Sequence, residues 1–184
     1  MWACHWWWSS IAEHVADAAG TVPPGVPVVG FVHTGALRAA LPAGPLRYGD
    51  LFTSFPFENV ISVCGTTRAG LARLVANSTK DSSARDRLPF GITGARVKMH
   101  RLTTGELEVL SVDLGQSGKS KDDAPVWIAL PDFLLSGGDA MLSGVTCKPA
   151  ATSSVRVRDA WRAVIVREKG SCEGAAKNVV IDGP

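Results

Sequence analysis

Pro131-Asp132-Phe133-Leu134-Leu135-Ser136-Gly137-Gly138-Asp139 follows an apolar, strand-like run from Val126 to Leu130. Neither glycine has a Cβ, so the backbone there can take positive φ and turn back sharply. Such a turn can bring Phe133 and Asp139 to one side of a single loop. A ring face beside a carboxylate suits a flat heterocycle carrying a diol, such as a nucleoside. The same residues also fit a strand, a turn and a core phenylalanine, and the stretch alone leaves both open.

Upstream, Val26, Val28, Val29, Phe31 and Val32 form a β-branched run bounded by proline and glycine, which reads as a buried strand. Tyr48-Gly49-Asp50-Leu51-Phe52 begins a short element after Pro42, Gly44 and Pro45. Val60, Ile61 and Val63 make a strand after Phe55-Pro56-Phe57-Glu58-Asn59, and Leu71, Leu74 and Val75 share one helical face. The polar stretch from Asn77 to Leu88 reads as a mobile loop. Arg96 to His100 and Glu106 to Val112 alternate like paired strands around Thr103-Thr104-Gly105. Gly115 to Ala124 reads as a loop, and Val155 to Val166 as an amphipathic helix with Val157, Ala160, Trp161 and Val164 inward. Near the start, Ser9 or Ser10 can cap a short helix ended by Gly20.

Strands and helices are interspersed without a clean βαβ rhythm, so the expected class is α+β, a single layered domain of mixed β-sheet flanked by helices. The expected plan is a Trp-rich segment over residues 1–9, the domain over 10–170 and an irregular tail over 171–184.

Composition narrows the function classes. The 184 residues, 46% apolar and 20% charged, suffice for one folded soluble domain with a real core. A formal net charge of +2 gives no global field that would argue for nucleic acid or an acidic membrane. The locally basic run from Arg68 to Arg101 reads as a solvated face or, less simply, a docking surface for an acidic partner. No apolar run is long enough to span a bilayer. The first 37 residues contain no Lys or Arg, which fits neither a secretory signal nor an Arg-rich transit peptide. The compartment stays open. Trp2, Trp6, Trp7 and Trp8 together expose too much apolar surface to be left in water. They pack either onto this domain or into a protein partner.

The four cysteines (Cys4, Cys64, Cys147, Cys172) form no C-x-x-C pair; they do not make a zinc site by spacing, and an even count alone does not establish a disulfide framework. The four histidines (His5, His14, His33, His100) are scattered, with no D-x-H, N-H-E or G-H-x-H cluster. No G-x-S-x-G elbow occurs, and Gly115-Gln116-Ser117-Gly118-Lys119-Ser120 lacks the spacing and the strand–helix setting of a phosphate loop.

Taken in order, a set of motifs carries a likeness. They are Asp17-Ala18-Ala19, then Gly35-Ala36-Leu37-Arg38, Tyr48 to Phe52, Phe55 to Asn59, and a helix through Leu71. Asp132-Phe133-Leu134 with Gly137-Gly138-Asp139 and the closing Val157-Arg158-Asp159-Ala160-Trp161 follow. This order, from about Ser10 to about Gly170, resembles the C-terminal, substrate-binding domain of the 5′-nucleotidase / UDP-sugar hydrolase family. The resemblance implies a base sandwiched between two phenylalanines, here Phe57 and Phe133. It implies Asp139 as acceptor for the ribose hydroxyls and Arg38 as a cationic fork near the ribose or phosphate. His33 and Asn59 are secondary members of the same set. Core packing for the two phenylalanines and a surface ion pair for Arg38 are the alternative readings.

The chain also departs from the family pattern. His33-Thr34-Gly35 stands where the family usually has Asn-x-Gly, and Thr67-Arg68 where a Thr-Gly opens the middle helix. In that family, catalysis belongs to an N-terminal metallophosphatase domain with two divalent metals, which generate a hydroxide and clamp the phosphoryl group. These residues carry no such ligand set, so no cofactor is expected in this chain. The expected function is a non-catalytic 5′-nucleotidase C-terminal-like domain serving as a structural or interaction subunit, with a protein partner through Trp2–Trp8 and an eroded nucleoside pocket. The alternative is the nucleotide-binding portion of a 5′-nucleotidase whose metal-bearing domain lies on another segment or chain.

Overall fold

Val28, Val29, Phe31 and Val32 build β1 (Val28–His33), an inner strand whose side chains alternate to opposite sides and are covered on both. The computed structural model describes residues 25–80, 90–115, 121–167 and 179–183. β1 pairs antiparallel with β3 (Phe90–Thr93) and parallel with β6 (Pro125–Pro131). Beyond β6 come β2 (Val60–Thr67) and then β7 (Lys148–Arg156), each antiparallel to its neighbour. The order across this sheet is β3-β1-β6-β2-β7. A second sheet joins the hairpin of β4 (Arg96–Arg101) and β5 (Leu107–Asp113) to β8 (Val179–Asp182), which runs parallel to β4.

The alternation sorts the core into two layers. Val29, Phe31, Ile128 and Leu130 face the helix α2 (Arg68–Thr79) through Leu71, Leu74 and Val75, together with Val97 and Met99 of the second sheet. Val32, Ile61, Val63 and Ala129 face the opposite way. They meet Leu51 of α1 (Tyr48–Ser54), Phe55, and Val157, Trp161 and Val164 of α4 (Val157–Arg167). A single turn, α3 (Asp132–Leu135), leaves the end of β6. The Thr67 hydroxyl starts α2 by accepting the Gly70 amide at 3.1 Å, the usual way to satisfy an orphan donor in a first turn. The α+β class, mixed sheets flanked by helices, is therefore the one observed.

Several local expectations shift. Asn77 to Thr79 complete α2 rather than opening a loop. Val155 and Arg156 end β7, so α4 starts at Val157. Val179–Asp182 form a strand where an irregular tail was expected, because the exposed backbone of β4 offers them a ladder. Cys64 and Cys147 form a disulfide with Cα atoms 5.5 Å apart, a pairing that their sequence separation of 83 conceals. The Trp2–Trp8 cluster and the helix expected before Gly20 lie outside the described residues, as do residues 81–88 and 116–120 of the two expected loops. Among the described residues, no helix is long and apolar enough to cross a membrane.

Candidate functional site

The strand directions gather the candidate residues at one end of the larger sheet. β1 and β6 are parallel, so His33 and Asp132 leave the sheet at the same end. β2 runs the other way and pairs Ile61 with Pro131, so Phe57 and Asn59 enter at that end too. The Val157 amide donates to the Asn59 carbonyl at 2.9 Å, which brings the start of α4 to the same place. The step from His33 to Arg38 contains the 3-10 turn Thr34–Ala36, and the Arg38 amide donates to the Ser54 carbonyl at 2.8 Å.

Two sub-clusters form there. In the first, His33 Nε2 lies 2.9 Å from Asp139 Oδ2, and the imidazole stacks loosely on Phe133, with centroids 6.2 Å apart and planes at 29°. Phe133 is 42% exposed, which rules out the core reading of this ring. In the second, the Arg38 guanidinium carbon sits 5.1 Å from the Phe57 ring centroid, a cation–π contact rather than a surface ion pair. Phe57 is itself braced edge-on by the buried Phe55, at 5.7 Å. The clusters are tied together by Asn59, whose Nδ2 donates to Asp132 Oδ1 at 2.9 Å. The same carboxylate oxygen accepts the Phe133 amide at 2.9 Å. Asn59 thus spends its amide on bracing the Phe133 turn.

The glycine pair works differently from the expectation. Gly137 takes φ of 95°, but the next left-handed positions are Asp139 (53°) and Ala140 (50°). Gly138 contributes space: a Cβ there would collide with the Phe133 ring. Gly35 does the same for His33, since an added Cβ would lie 2.6 Å from Nε2. Both glycines let a ring lie against the backbone.

Electrostatics distinguish His33 from its neighbours. Burial pushes its pKa below the ordinary imidazole value; the Asp139 carboxylate opposes this, and Arg38 adds to the lowering. His33 Nδ1 is buried without a hydrogen-bond partner. On the flank, the hydrogen bond from Arg158 holds the Glu58 carboxyl below the usual range, with the Arg156 charge adding to it.

Arg158 was not legible as a site residue in the sequence. It lies next to the apolar stripe of α4, yet its guanidinium reaches Tyr48, Phe55, Phe57 and Glu58. The sequence signal was its place in the Val157-Arg158-Asp159-Ala160-Trp161 motif beside the apolar stripe, which does not show that the side chain is buried. A separate groove of about 770 Å³, lined in part by Gly65, Thr66, Arg73, Trp127 and Lys148, opens at the far end of β2. It contains none of the candidate residues.

Among the described residues, no group of three or more His, Cys, Asp or Glu side chains is placed to hold a metal ion. His33 and Asp139 make a pair with no third ligand among the described residues.

Fold and site together define an α+β domain that presents aromatic rings, a carboxylate and a cation at one sheet end. A family model for the 5′-nucleotidase C-terminal domain matches residues 3–144, and the chain belongs to that family. No curated protein matches the chain. Among solved structures it is similar to a 5′-nucleotidase precursor from Thermus thermophilus, with TM-score 0.78 and 15% identity over 96% of this chain and 34% of that one. It is similar to the NAD nucleotidase of Haemophilus influenzae, with TM-score 0.66 and 12% identity over 94% and 33% of the two chains. It also resembles the sulfate thiohydrolase SoxB of Thermus thermophilus, with TM-score 0.54 and 16% identity over 97% and 32%. The chain spans about a third of the length of these proteins. At such identities the likeness is one of fold, and the presence of a thiohydrolase shows that the fold alone does not select a nucleoside.

Proposed function

We propose that this domain binds a nucleoside or nucleotide at the sheet end that carries Phe57 and Phe133, and that hydrolysis, where it occurs, belongs to a separate metal-bearing domain. The observation that supports this reading is the convergence of Arg38, Phe57 and the Phe133–Asp139 loop, three segments coupled through His33 and the Asn59–Asp132 hydrogen bond. A base needs only a π-face, and each stacking ring supplies one. Asp139 is exposed and accepts from ribose hydroxyls in charge-assisted hydrogen bonds. Arg38, also exposed, offers its fork to a phosphate.

A second reading, a non-catalytic structural or interaction subunit with a vestigial pocket, draws on one specific observation. His33 already engages Asp139 and lies against Phe133, so a ligand has to displace or share those contacts. The two readings separate in an NMR titration with adenosine and AMP. Binding at this end shifts the amides of Phe57, Phe133, Gly137 and Asp139 in a saturable way, and Asp139→Asn abolishes the shifts. An unperturbed spectrum across these amides favours the subunit reading.

A further inference from the structure

We infer that Arg158 is the positioning residue for the Phe57 wall of the site, holding that ring in place through backbone carbonyls without itself facing a ligand; this rests on the proposed nucleoside reading. Arg158 is 3% exposed although it carries a full charge. A buried guanidinium is tolerated only when its donors are satisfied, and here they are spread over several segments. Nη1 donates to the carbonyls of Phe55 (3.1 Å) and Phe57 (3.3 Å), and Nη2 to Glu58 Oε1 (2.6 Å). Nε donates to the Tyr48 hydroxyl (3.0 Å), which in turn donates to Asp159 Oδ1 (2.9 Å). The guanidinium carbon also lies 4.5 Å from the Phe52 ring centroid and 5.6 Å from that of Tyr48.

The pattern along the loop gives these bonds a function. Phe55, Phe57 and Asn59 present alternate carbonyls to the first turn of α4: the first two to Arg158, the third to the Val157 amide. Three alternate carbonyls gripped by one helix start fix an otherwise irregular segment in a single extended register. That register decides which way the Phe57 ring points and therefore whether Arg38 can lie over it. A lysine keeps the charge but has one nitrogen on a flexible stem, and cannot reach four acceptors in a planar fork.

The test pairs Arg158→Lys with the milder Tyr48→Phe, which keeps the guanidinium but removes one acceptor. Without ligand, hydrogen exchange of the Phe57 to Val60 amides should quicken by about tenfold in Arg158→Lys, equivalent to about 1.4 kcal/mol of lost local stability, with β1 and β6 amides unchanged. Adenosine should bind about tenfold more weakly to Arg158→Lys, and less so to Tyr48→Phe. In a Phe57→Ala background, Arg158→Lys should cause no further loss, because the wall it positions is gone. Unchanged exchange in the loop, uniform quickening across the whole domain, or an equal affinity loss with and without Phe57 would each overturn the inference. If the wild-type chain binds no adenosine, the nucleoside reading fails, while the exchange arm still decides whether Arg158 holds the loop.

Discussion

His33 sits at the centre of the site and brings a pH dependence with it. Folding lowers its pKa, chiefly by burial, so as the pH falls below about 6.5 the unfolded chain takes up the proton first. The native state is then penalised: the contribution of His33 to stability is intact above about pH 6.5 and declines on acidification toward the lowered native value. His33→Gln removes this contribution. Urea unfolding at pH values from about 7.5 to about 5 should show the wild type losing stability more steeply than the variant. Parallel curves would mean that His33 titrates alike in both states. The glycines at this scale serve two rings: Gly35 gives room to His33 and Gly138 to Phe133. The sequence shows the glycine pair but not this division of labour, because a need for space depends on a neighbour that only the fold supplies.

At the scale of elements, what could be read from sequence tracks how much of an element's cause is local. β1 carries a β-branched run between proline and glycine, α2 and the β4–β5 hairpin carry their own periodicity, and each lies where the pattern places it. β7 (Lys148-Pro149-Ala150-Ala151-Thr152-Ser153-Ser154-Val155-Arg156) has no apolar alternation; its strand character comes from the ladder with β2. β8 is likewise recruited by β4. The Cys64–Cys147 bridge is equally non-local. It fastens the start of β7 to β2 across a sequence separation of 83. A bridge closing so long a loop stabilises a domain by ~2–4 kcal/mol, chiefly through the unfolded state in the chain-entropy account. Replacing both residues in Cys64→Ala/Cys147→Ala should lower the unfolding free energy by about that amount, measured by urea titration. A double variant as stable as the wild type would show that the β2–β7 ladder alone holds this edge.

For the whole molecule, the family assignment was legible because several short motifs keep their order, while no single one is specific. The site was legible in part. Phe57, Phe133, Asp139, Arg38 and His33 meet at one sheet end, whereas Asn59 braces a turn and Arg158 enters from α4. The chain spans about a third of its solved relatives, so the nucleoside proposal concerns binding by this domain and not the activity of a whole enzyme. That proposal is tested most directly by calorimetric titration of the folded chain with adenosine, set beside Phe133→Ala. Phe133 is 42% exposed, so removing the ring should leave the fold intact. One saturable site is expected in the wild type, with affinity reduced ~5- to 150-fold in the variant, the range that the loss of one stacked base corresponds to. No heat of binding from the folded wild type, or equal affinity in the two proteins, would contradict it.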